Sequence, residues 1–209
     1  MTWLIELLIF VMTGALIFHA MGSRSPQFAI IFWSSGLVMG LFRELALSQI
    51  SELYTYGSFS LSILGVPFVF LMLWTNLAYV SWEWSNNYLG TEYFQSKTFD
   101  QHLPLIFMTM ILAAFFFEAL LSQFQLIQWE LDAMPTLWGN TPVLAPFSYG
   151  FTAVVFLSGF KYLWNQPQQS WPVVAIKLVS IQPMLVLIIM GLLFLTNLLI
   201  IMAYVAGQS

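Results

Sequence analysis

Long apolar runs separated by short polar breaks dominate this chain, and the position of each break predicts where an element ends. Residues 3–21 form the first run, closed by Gly22-Ser23-Arg24-Ser25-Pro26, a turn rich in helix breakers. Residues 28–47 form the second, with Gly36 and Gly40 spaced so that another backbone can approach closely. Residues 61–82 enter through Gly65-Val66-Pro67, and proline is tolerated there because the first turn of a helix has no partner for that N–H. Residues 102–125, 147–164 and 183–205 supply three more runs, while residues 171–180 read as a segment lying along an interface. At about 1.5 Å per residue, each run crosses or nearly crosses a hydrocarbon core of about 30 Å. Two segments do not. Residues 83–101 are the most polar stretch and must lie in water, and residues 128–146 hold Glu130, Asp132, Pro135, Gly139, Asn140, Pro142 and Pro146, too broken for a span.

Composition turns this pattern into a class. Of 209 residues, 60% are hydrophobic and 7% charged, with a mean hydropathy of +0.84, so polar groups cannot cover a soluble surface. The expected fold is all-α: a polytopic membrane helical bundle of about six transmembrane helices, forming a single integral-membrane domain over residues 1–209. The first run lacks a basic leader and carries Glu6, which reads as a retained helix. The absence of cysteine excludes a disulfide framework, a thiolate nucleophile and cysteine-ligated metal. Five Lys and Arg residues, scattered along the chain, offer no patch for nucleic acid. They serve instead as topology signals. Arg24, Lys97, Lys161 and Lys177 fall on one side of the expected spans and Arg43 alone on the other. This puts both termini outside the cytoplasm, most naturally at the cell membrane.

Candidate chemistry starts from carboxyl groups in apolar surroundings, which are costly there and therefore functional candidates. Glu118 sits between Ala-Ala-Phe-Phe-Phe and Ala-Leu-Leu with no base within a helical turn. Desolvation favours its neutral acid, a proton donor. Two readings stand: an acid that gives its proton to a substrate, or one that simply bonds a neighbouring helix. Its expected hydrogen-bond partners are Glu44, Tyr54 and Tyr56, or Ser122 and Gln123 along its own helix. Glu44 follows Arg43, but neighbouring helical residues point apart, so both a helix-end pair at the interface and a catalytic role are open. His19 and His102 lie near expected boundaries, where imidazole either ligates a magnesium pigment, haem or metal, or is held by a carbonyl or water. No metal motif joins them. Aromatic residues make up 18% of the chain, and Tyr54, Tyr56, Trp74, Trp129 and Trp138 are placed to wall a groove for a long flat apolar molecule or to lean on a cation.

The order His19-Ala20, Arg24, Glu44, Tyr54-Thr55-Tyr56 and Leu64-Gly65-Val66-Pro67 through Trp74 resembles the integral-membrane carotenoid biosynthesis family that includes the bisanhydrobacterioruberin and γ-carotene 1′,2′-hydratases. Glu118, Trp129 and the stretch from Thr141-Pro142 to Phe147 extend the resemblance. The chain departs from the family pattern in two places. Residues 45–53 lack the family's glycine-containing segment, and Glu118 with Ser122-Gln123 stands where the family carries paired aspartates.

That resemblance implies water addition to a terminal alkene, with an acid to protonate the double bond, a site that tolerates a tertiary cation, and a placed water. In this scheme Glu118 is the catalytic proton donor and Glu44 orients the water or takes its proton. Tyr54, Tyr56, Pro67, Trp74 and Trp129 form the substrate site. No cofactor is required; a bound carotenoid or other pigment is compatible with the site. The expected partners are the lipid bilayer and a long apolar isoprenoid. The alternative is a non-catalytic transmembrane subunit that packs against partner helices and holds carotenoid, chlorophyll or quinone.

Overall fold

The computed structural model describes residues 2–95, 101–130, 136, 141–166 and 170–206. Lys97, Asp132, Pro135, Trp138, Gly139 and Asn140 lie outside the described residues. Six α-helices make the body: α1 (Thr2–Ser23), α2 (Pro26–Leu45), α3 (Phe68–Leu89), α4 (His102–Gln123), α5 (Leu144–Trp164) and α6 (Trp171–Ala206). Among the described residues four short strands sit in the connections: β1 (Tyr54–Tyr56), β2 (Ser62–Ile63), β3 (Val66–Pro67) and β4 (Ile127–Trp129). The chain is mostly helical, as expected, and its connections add two small antiparallel ladders that the sequence pattern did not predict.

Contacts at the two ends show that the helices alternate in direction. At one end Arg24, in the α1–α2 turn, pairs with Glu83 near the end of α3 at 3.2 Å and with Glu92 beyond it at 2.5 Å. There too Asn165, after α5, donates to the Phe94 carbonyl. At the opposite end Glu6, in the first turns of α1, accepts from the Ser60 backbone N–H at 2.6 Å. The same end carries β1–β4, paired Tyr54 with Trp129, Thr55 with Gln128 and Tyr56 with Ile127.

Local chemistry explains most boundaries. Ser25 caps α2 by accepting the Phe28 N–H, and Pro26 occupies the first turn where its missing N–H costs nothing. After Leu45 the helix widens into a π-helical turn, Ala46–Ile50, a distortion that re-aims the side chains around it. Helix α3 starts at Phe68, not at residue 61: Gly65, at φ +81°, turns residues 62–67 into the β2–β3 hairpin, and Pro67 then stands in extended backbone at the residue before the helix. It also runs on to Leu89, ended by Gly90 in the left-handed region. The interfacial segment expected over residues 171–180 is instead the first part of α6, a single 36-residue helix through Pro183, about 54 Å long. Proline deprives one carbonyl of its partner without breaking this helix, and next to it Gln182 donates from its side chain to the Leu178 carbonyl at 2.6 Å.

Among the described residues, four segments are long and apolar enough to cross a membrane: Thr2–Ser23, Pro26–Ile50, His102–Gln123 and Trp171–Tyr204. Helices α3 and α5 are less apolar along their length, carrying Thr75, Asn76, Ser81 and Ser85 in α3 and Ser148, Tyr149 and Thr152 in α5. Asn76 accepts from the Trp33 indole at 3.0 Å and donates to Thr13 at 2.7 Å, tying α1, α2 and α3 together. The two glycines of α2 face this seam, where a Cβ at Gly36 would meet Thr75 and one at Gly40 would meet the Trp74 indole. Rings of Phe28, Phe32, Trp82, Phe94, Phe156 and Phe160 fill the core toward the Arg24 end, mostly edge to face.

Candidate functional site

The strongest concentration of buried polar groups lies where the end of α2 meets the end of α4 and the start of α5. Arg43 and Glu44 are each 2% exposed. They form a direct ion pair through Arg43 Nη1 and Glu44 Oε1. This corrects the expectation that adjacent helical side chains point apart at an interface: both side chains are long, both turn inward, and the helix widens immediately after them. The rest of the guanidinium is satisfied from α5. Its Nη2 donates to Ser148 Oγ at 2.6 Å and its Nε to Thr152 Oγ1 at 3.1 Å. Its Cζ also lies 4.5 Å from the Tyr149 ring centroid, a desolvated cation–π contact.

Glu44 Oε2 accepts from two tyrosines, Tyr54 at 2.6 Å and Tyr56 beside it. Strand β1 places these residues, and its pairing with β4 sets the Tyr54 ring edge-on to Trp129 at 4.6 Å. Burial, and then the adjacent Glu44 carboxylate, push both phenols above the ordinary tyrosine value. They remain donors at neutral pH. Both Glu44 oxygens are thus occupied by charge-assisted bonds, the stronger kind.

Glu118 is 2% exposed and faces the interior, on the same side as Arg43 and Glu44. Its partner corrects the expectation: Tyr149 of α5 donates to Oε1 at 2.7 Å, while Ser122 Oγ is buried without a partner. Glu118 Oε2 accepts no hydrogen bond either. The Trp129 indole N–H faces the same carboxyl without closing a bond of ordinary geometry. Glu44, Arg43, Tyr149 and Glu118 therefore form one continuous chain of contacts across α2, α5 and α4. The residues that close it, Ser148, Tyr149 and Thr152, were not singled out in the sequence. Their only sequence signal is a hydroxyl-bearing face in an otherwise apolar helix.

Two clefts flank this chain and share Tyr54 as a wall. One is apolar, lined by Leu47, Leu53, Trp129, Ala145, Ser148 and Leu193, with a volume of about 10 Å³, room for a single water. The other is polar, about 460 Å³, and opens beside Tyr56, Ser58, Ser62 and Pro67. Trp74 lines neither; it is 1% exposed, wedged against Gly40 and edge-on to Phe156 at 5.2 Å. The histidines lie elsewhere. His19 Nδ1 is 2.8 Å from the Tyr79 hydroxyl, and buried His102 lies 3.1 Å from both Ser85 and Thr91. Among the described residues no group of His, Asp and Glu is gathered to hold a metal ion.

No family model, no curated protein and no solved structure matches this chain.

Proposed function

We propose that the chain is a membrane-embedded protein that binds the end group of an acyclic carotenoid or related long isoprenoid and adds water to its terminal alkene. The observation that carries this reading is the presence of two buried carboxyl groups with differently satisfied oxygens, each next to a ring, Tyr54 for Glu44 and Trp129 for Glu118, that walls the water-sized apolar cleft. Glu44 is saturated by Arg43, Tyr54 and Tyr56, whereas Glu118 keeps one oxygen without a partner. In this reading Glu118 gives its proton to the less substituted alkene carbon. The resulting tertiary cation is held by the faces of Tyr54 and Trp129. A water attacks the cation, and its released proton returns to Glu118, so acid and water balance and no redox cofactor is consumed. Glu44 contributes fixed charge and holds the tyrosines, because neither of its oxygens is left to accept the water's proton.

The same reading takes six spans, with α3 packed on α1, α2 and α4, and α5 packed between α4 and α6. It places Arg24, Lys161 and Lys177 on the cytoplasmic side of the cell membrane and both termini outside. A second reading, a non-catalytic subunit holding carotenoid, chlorophyll or quinone among partner helices, draws on the outer faces of α1 and α6, where Leu8, Phe18, Leu187 and Phe194 are exposed. The test is expression in a host that accumulates acyclic carotenes. A product heavier by one water from the protein purified alone supports hydration. Unchanged carotene co-purifying with other membrane subunits supports the second reading.

A further inference from the structure

We infer that the polar cleft beside β1 is a binding site for an uncharged, hydroxyl-bearing ring of the size of a hexose. At about 460 Å³ it falls in the range of small-ligand sites. Its chemistry is selective. No Asp, Glu, Lys or Arg lines it; behind its wall Glu44 is bonded to the Tyr54 and Tyr56 hydroxyls, and Glu6 to the Ser60 backbone N–H. An anionic head group would find no cation there, since Arg43 is buried and already bound to Glu44, Ser148 and Thr152. What the cleft does offer is hydroxyls and aromatic rings. Thr55, Ser58 and Ser62 line it, and among the described residues their side chains make no hydrogen bond within the protein. Gln49 uses its amide N–H on the Leu64 carbonyl and keeps its oxygen open. Phe59 and Tyr56, both packed on Phe70, supply apolar faces at 5.3 and 5.1 Å.

Free neutral donors and acceptors around aromatic faces match a sugar, whose hydroxyls pair with the rim while its C–H face lies on a ring. A sugar reaches this end of the bundle from two sources, a glycolipid head group or the aqueous phase. Both present the same ring to the same residues.

The test uses the full chain in phosphatidylcholine nanodiscs, prepared without glucoside or maltoside detergents because these carry the sugar themselves. A glucosyl diacylglycerol is titrated into the nanodiscs, methyl glucoside is added from solution, and phosphatidylglycerol serves as the charged control. Saturable binding of the glucolipid, weakened about tenfold or more by Ser58→Trp, supports the site with a lipid source. Binding of methyl glucoside with the same sensitivity supports it with a soluble source. Thr55→Val/Ser58→Ala/Ser62→Ala deletes the rim hydroxyls without filling the space and is expected to weaken binding to a similar degree. This covers the case in which the tryptophan variant fails to fold. Absence of binding by both sugars, binding that neither variant changes, or equal binding of phosphatidylglycerol would overturn the inference. None of these outcomes depends on hydration activity.

Discussion

Replacing Arg43 by Met should destabilise the protein more than any other single polar substitution at this end of the bundle. The substitution removes the ion pair to Glu44, the bonds to Ser148 and Thr152 and the cation over Tyr149 together. Glu44 would then be a buried carboxylate with only two phenols for company, and breaking a buried pair on one side costs about 3–5 kcal/mol. For a chain of this size that corresponds to a fall in melting temperature of roughly 6–20 °C. Arg43→Met/Glu44→Gln makes the same site neutral while leaving the amide oxygen to accept from Tyr54 and Tyr56. It should recover more than half of the loss. Tryptophan fluorescence followed during heating in detergent, at one fixed scan rate, compares Arg43→Met, Glu44→Gln and the double substitution with the wild type. If Arg43→Met melts within a degree of wild type, or if the double substitution is as damaging as the two singles summed, the pair is not buried and coupled as described.

Other consequences can be read separately. Gly40→Ala would drive a Cβ into the Trp74 indole and should cost about 1–3 kcal/mol by overpacking. Gly14→Ala, with open space around it, should be neutral or slightly stabilising in the same melts. Tyr54 and Tyr56 titrate above the ordinary value of 10.0, so the folded state keeps their stabilisation below that pH and loses it as pH climbs further. The melting temperature should therefore fall above about pH 10, and fall less in Tyr54→Phe/Tyr56→Phe. Cysteine introduced at Ser23 and at Ser58 should react with an impermeant reagent from opposite sides of the membrane, Ser58 from outside; labelling of both from one side would show that a span is misplaced.

Much of the helical layout could be read from the sequence because apolar runs bounded by breakers leave few alternatives. The limits of α1, α2 and α4 fall within a few residues of the expected ones. Glu118 facing the interior was legible for the same reason, since a carboxyl group in hydrocarbon has to find a partner. The identity of that partner was not. Tyr149 lies among Phe147, Phe151 and Phe156, where nothing in the spacing separates a hydrogen-bonding ring from a packing one. The β1–β4 ladder was also hidden, because three-residue strands carry no periodicity and the partners are distant in sequence. Hydropathy likewise misjudged α6, where Pro183 reads as a break, although neighbouring backbone bonds carry the helix past it.

The central claim is that Glu118 delivers a proton to an alkene carbon beside a site held by Glu44 and its tyrosines. Incubating the purified protein with an acyclic carotene in deuterium oxide tests it directly. Hydration through Glu118 predicts a hydroxylated product that retains one deuterium on carbon, next to the carbon bearing the new hydroxyl. Glu118→Gln, whose amide keeps the shape and cannot donate an acid proton, should give a folded protein that still binds the carotene and forms no product. A hydroxylated product without carbon-bound deuterium, or one formed equally well by Glu118→Gln, would contradict the account.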